Sequence, residues 1–145
     1  MGKEWIKLKE IGQLYLEKIL VAFDVPILFV CSDYEKRRYL CLNIDNETGE
    51  TVIAEVSNKQ LIQMLKNETP MEVLFRDSIN EKIFIATYDD AKGEVISNSV
   101  YSRDISENML PKKSEFFELS NSMITDYIGF LSTVEGLNMN RIKVV

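Results

Sequence analysis

The stretch Pro26 to Asp45, PILFVCSDYEKRRYLCLNID, constrains the fold of this chain more than any other. Two β-prone apolar runs, Ile27 to Ser32 and Tyr39 to Asp45, flank a short charged turn, the pattern of an antiparallel hairpin. A turn centred on Lys36 sets Leu28 against Ile44 and Val30 against Leu42 on one face. On the other face it sets Phe29 against Asn43 and Cys31 against Cys41. A third run, Thr51 to Val56, follows the turn residues NETGE. Pairing Val52 with Ile44 and Ala54 with Leu42 continues the same aliphatic face. The chain must therefore build an antiparallel meander whose aliphatic side needs a cover.

The segments that follow can supply it. Ser57 is placed to cap a helix over SNKQLIQMLKNE, with Leu61, Ile62, Met64 and Leu65 along one side. TPMEVLF predicts a second short helix, with Thr69 as cap, Pro70 at its first position and Glu72 at the positive end of the dipole. KIFIATYDDAKGEVISNSVYS predicts a second hairpin that turns at Asp89 to Gly93. The pattern loosens after Asp104. SNSMITDYIGFLSTV then places Ile124, Ile128 and Leu131 at helical spacing, before an apolar tail, RIKVV. Near the N-terminus, Trp5, Leu8 and Ile11 have helical spacing that Gly12 interrupts, and Leu16 to Phe23 is a β-prone run ended by Asp24-Val25-Pro26. Strands and helices are segregated rather than alternating, so the expected fold is α+β. One domain over residues 1–145 is expected, a mainly antiparallel sheet of about five or six strands, the N-terminal meander plus the second hairpin, with about two or three helices packed on it.

Charge and composition narrow the chemistry. The net charge is -6 in 145 residues, with no histidine and two cysteines. An acidic chain lacks the clustered lysines and arginines that displace counterions from phosphates, which argues against a nucleic-acid partner. It favours a protein partner with a basic surface. Without histidine there is no imidazole base, no imidazole metal ligand and no Ser-His or Cys-His pair. The N-terminal sequence lacks a signal-peptide core and a membrane-length apolar run, so the expectation is a cytoplasmic protein that does not enter the membrane.

Several segments, LEKIL, PILFVCSD with RYLCLNID, VSNKQLIQMLKNETPMEVLF and MLPKKSEFFEL, together resemble a small domain family of unknown function in bacteria and their mobile elements, phages included. The resemblance runs from Tyr15 to Leu119. Its motifs are strands, turns and helices, and it implies no activity, cofactor or catalytic residue.

Two thiols and no histidine fall short of the four ligands of a structural zinc site. Cys31 and Cys41 read first as small buried apolar residues, ahead of a redox switch or an intermolecular link. DNETGE departs from a calcium loop, because Gly49 is its fifth residue and no bidentate glutamate follows at the twelfth. No phosphate loop, dinucleotide glycine pattern or nucleophile elbow is present, so no catalytic, cofactor or metal residue is assigned. The second hairpin face, Phe29, Cys31, Tyr39 and Cys41, is also apolar. Its expected cover is the chain's own helices; a partner or a ligand is the alternative. Phe116 and Phe117 are expected to pack back on the sheet, with a hot-spot role as the alternative. Candidate partner-binding residues are thus Phe29, Tyr39, Phe116, Phe117, Asp89 and Asp90. The expected function is a non-catalytic, acidic protein-binding module of the inhibitor, immunity or antitoxin type, as carried by phages and mobile elements against bacterial defence. The alternatives are a small-molecule binder that sequesters a nucleotide signal and an enzyme with carboxylate or lysine chemistry.

Overall fold

The two runs around Lys36 become neighbouring strands, and the sheet extends from them in chain order. The computed structural model describes residues 2–119 and 121–133. The strands are β1 (Lys3–Leu8), β2 (Gly12–Phe23), β3 (Val25–Ser32), β4 (Arg38–Asp45), β5 (Glu50–Val56), β6 (Lys82–Asp89) and β7 (Glu94–Tyr101). They form one antiparallel sheet of seven strands in sequence order. Helices α1 (Asn58–Leu65) and α2 (Met71–Arg76) lie between β5 and β6, and α3 (Ser122–Leu131) closes the described chain. The class is α+β, but the sheet has seven strands rather than five or six. The stretch from Trp5 to Leu14, with its interrupted helical spacing, is the first hairpin: Gly12, at φ 86°, opens β2 directly opposite Leu8.

Hairpin β3–β4 is two residues tighter than the turn centred on Lys36 would make it. Leu28 opposes Leu42, Val30 opposes Leu40, Phe29 opposes Cys41 and Cys31 opposes Tyr39. Asp33 sets the turn. Its backbone N–H donates to Arg37 O at 3.0 Å, and its carboxylate accepts from the N–H groups of Glu35 and Arg37, both at 2.9 Å. A shift of two residues leaves every side chain on its expected face. The same shift carries into β5, where Val52 opposes Leu42 and Ala54 opposes Leu40. The cysteines are therefore diagonal neighbours and not an opposed pair. Both are buried and reduced.

The aliphatic face carries Leu28, Val30, Leu40, Val52, Ala54 and Ile83. It packs against Leu61, Met64 and Leu65 of α1, Leu74 and Phe75 of α2, and Ile124, Tyr127 and Leu131 of α3. Ser57 caps α1 as expected, and the Gln60 side chain returns a bond to the Ser57 N–H, completing a capping box. Helix α2 begins one residue later than expected: Pro70, not Thr69, precedes it, and no side chain caps it. The tail RIKVV lies outside the described residues. No helix among the described residues is long and apolar enough to cross a membrane.

The second hairpin face is covered, but not by helices. The sheet curls until Leu8 and Leu14 of the first hairpin pack with Phe29, Cys31, Tyr39, Cys41, Ile53, Phe84 and Ala86 in a second core. Strand β2 makes the curl. Its register with β3 shifts at three places, and each irregularity adds local twist and bend. At one end the edges meet, where Ser97 Oγ of β7 donates to Glu10 in the β1–β2 turn at 2.7 Å.

Candidate binding site at the open end of the curled sheet

Antiparallel order sends the ends of β2, β4 and β6 to one end of the curled sheet, together with the start of β1. At that end the interior is not filled. A cavity of about 250 Å³ opens there to solvent. Its wall has an aromatic part (Trp5, Phe29 and Tyr88), an aliphatic part (Ile6, Leu16, Pro26, Ala86 and Val95) and a small polar part (Asn43, Thr51 and Thr87), with Gly49 at its edge. No charged side chain lines it. Trp5 and Phe29 meet edge to face, with ring centroids 4.9 Å apart, so the inner wall is a fixed aromatic surface.

Three hairpin turns lie at this end of the sheet, each built by residues that tolerate positive φ. Asp24, at φ 64°, joins Phe23 to Val25; Gly49, at φ 70°, and Gly93, at φ 65°, serve the β4–β5 and β6–β7 turns. Acidic side chains brace the turns. The Asp45 carboxylate accepts from Glu47 N–H at 2.9 Å, and the Asp89 carboxylate accepts from Ala91 N–H at 3.0 Å and Lys92 N–H at 3.3 Å. Across residues 23–25, 45–50 and 89–94 stand Asp24, Asp45, Glu47, Glu50, Asp89, Asp90 and Glu94, against Lys92 alone. The chain has 23 acidic and 17 basic residues; these turns hold seven and one. The three turns therefore carry a net side-chain charge of -6 between them, while Lys7 and Lys9 stand beside Glu94 and Lys3 opens β1 at the same end. Phe23, 79% exposed, stands at the β2–β3 turn opposite Val25, beside the wall residue Pro26.

Three of the six candidate residues come together here. Phe29 lies inside and shapes the cavity wall, while Asp89 and Asp90 sit in the β6–β7 turn above it. The others do not join them. Tyr39 is 1% exposed and its hydroxyl donates to Asp33 at 3.1 Å; it keeps its expected face, and the curl of the sheet buries that face in the second core, out of a partner's reach. Phe117 is buried in the helix-side core, whereas Phe116 is half exposed against Val21 and Met71. The sequence reading missed Trp5, Leu16, Tyr88 and Val95, because it left β1 unassigned and read the second hairpin only as an extension of the sheet. The one available signal was the run of acidic turns.

A second polar cluster lies on the helix side. Arg38, 3% exposed, forks onto both Glu17 oxygens at 2.8 and 3.1 Å and donates to Asn58 Oδ1 at 3.1 Å. Tyr127 of α3 donates to the same Glu17, Asn58 donates to Leu131 O at 3.2 Å, and the Arg38 guanidinium lies 5.5 Å from the Phe130 ring centre. These bonds fasten α3 to the sheet. Burial, reinforced by Glu17, pushes the Tyr127 hydroxyl far above its ordinary value, and burial acts likewise on Tyr39 and on the Cys41 thiol. All three lie outside the cavity wall, where a locked protonation state serves packing. Among the described residues no cluster of three cysteine, aspartate or glutamate side chains has the arrangement of a metal site. No family model, curated protein or solved structure matches the chain.

Proposed function

We propose that this protein is a non-catalytic binding module that meets a basic protein surface through the open end of its curled sheet. One observation carries the reading: an apolar cavity without a charged wall residue opens at the end of the sheet where three hairpin turns hold seven acidic side chains against one lysine. Apolar contact at the centre and charge at the rim is the usual division of labour at a protein interface. The arrangement works against a nucleotide, whose phosphates would face seven carboxylates and find no arginine or lysine in the wall. It also works against carboxylate catalysis, since the acidic groups brace exposed turns and none reaches into the cavity. An inhibitor or immunity type of role fits a compact acidic binder of this kind.

Affinity capture from host-cell lysate with the tagged chain, at low and high salt, tests the reading. Co-eluting proteins and small molecules are both identified by mass spectrometry. A stoichiometric protein released by salt is the expected result. A protein-free eluate carrying one enriched metabolite would overturn it.

A further inference from the structure

The size and wall of the cavity say more about the partner than the charge of the rim does. We infer that the cavity receives one aromatic side chain carried on a short lysine- or arginine-flanked segment of the partner. The inference rests on the protein-binding reading above and specifies its contact.

Its volume of about 250 Å³ falls below the roughly 300–1,000 Å³ of ordinary small-molecule pockets, which suits a single side chain better than a cofactor. The wall suits a ring. Trp5 and Phe29 already pack edge to face, and Tyr88, 53% exposed at the opening, offers a further ring surface for offset or edge-on contact. Charge selects what lies beside that ring. A segment bearing cations on either side of the aromatic residue would meet Asp45 and Glu47 in one turn and Asp89 and Asp90 in another. An aromatic anchor in a desolvated pocket with charges at its rim is the composition of an interface hot spot.

The chain carries its own reporter, because its single tryptophan is Trp5 in the cavity wall. Trp5 fluorescence of the full chain is titrated with four probes: the peptides Ac-KRFRK-NH2, Ac-KRARK-NH2 and Ac-EEFEE-NH2, and N-acetylphenylalanine amide. The expected result is saturable binding of Ac-KRFRK-NH2, weakened about 30-fold when alanine replaces phenylalanine, the loss typical of a hot-spot anchor. The acidic peptide should not bind, and both Tyr88→Ala and the double variant D89K/D90K should weaken the basic peptide about tenfold or more. Tyr88 and Asp90 are exposed, whereas Asp89 is half-buried and braces its own turn, so a circular-dichroism melt checks that these variants fold. E47K/D90K, at two exposed positions, repeats the charge change with that brace intact and should weaken the basic peptide equally.

Equal affinity for the phenylalanine and alanine peptides would overturn the inference and leave the acidic-surface reading standing. Equal affinity for N-acetylphenylalanine amide and the basic peptide would make the cavity a small-molecule site and overturn both. No response of Trp5 to any probe would overturn the inference, while lysate capture would still decide the broader reading.

Discussion

Asp33 shows how much one side chain can settle. Its carboxylate accepts four hydrogen bonds, from the Glu35 and Arg37 N–H groups at 2.9 Å, from Arg37 Nε at 2.7 Å and from Tyr39 OH at 3.1 Å. Those bonds hold Lys36 at φ 64° and so fix the register of β3 against β4. Asp33→Ala leaves the buried Tyr39 hydroxyl without its acceptor and should cost about 2–3 kcal/mol, read from the urea midpoint. The faces of that hairpin were legible in sequence because alternation fixes them. The register was not, because hydrophobic pattern alone does not distinguish a shift of two residues. Cys31 and Cys41 are both fully buried, so neither should react with an aromatic disulfide reagent in the native protein, and both should react after unfolding in guanidinium. Fast labelling of the native protein would contradict their placement. Tyr127 and Tyr39 give a signed pH dependence. Their hydroxyls keep their protons in the folded state at a pH where an unfolded tyrosine, with a value of 10.0, releases its own. The stability they contribute is whole below about pH 10 and is lost as the pH rises beyond it. Tyr127→Phe should make that alkaline decline shallower in denaturant titrations repeated from pH 8 to 11.

Among elements, α1 and β4 were the plainest in the sequence, and β1 and β2 the least plain. Local chemistry settles α1: Ser57 and Gln60 close a capping box, and Leu61, Met64 and Leu65 share the buried side. Ser57→Ala should cost about 1 kcal/mol. The first hairpin obeys long-range packing instead. Its strands are half buried, and the irregularities in β2 turn residues on one strand toward different cores: Leu16 faces the cavity side, whereas Leu20 joins the helix-side core. No single period describes such a strand. Helix α3 was legible from its spacing, but its anchor was not, because Glu17, Arg38, Asn58 and Tyr127 are spread across the chain. Arg38→Met removes the guanidinium fork and leaves Glu17 partly buried without it. A loss of about 3–5 kcal/mol is expected, with α3 protected from hydrogen exchange less than β4.

At the scale of the whole molecule, two facts from different levels coincide at one end. Antiparallel order gathers three turns at the end where the cavity opens, and those turns hold seven acidic side chains against one lysine. The charge was visible in the sequence; its focus was not, because the curl that brings the turns together arises from β2 and from the closure of Ser97 on Glu10. The central claim is that this end is the contact surface. The most direct measurement compares retention of the captured protein partner by the wild type, by D89K/D90K and by E68K/E118K, which makes the same charge change at exposed positions outside the three turns. The account predicts that D89K/D90K loses the partner about tenfold or more while E68K/E118K keeps it near the wild-type level. Equal losses in the two variants would reduce the contact to overall charge, and undiminished retention by D89K/D90K would contradict the claim.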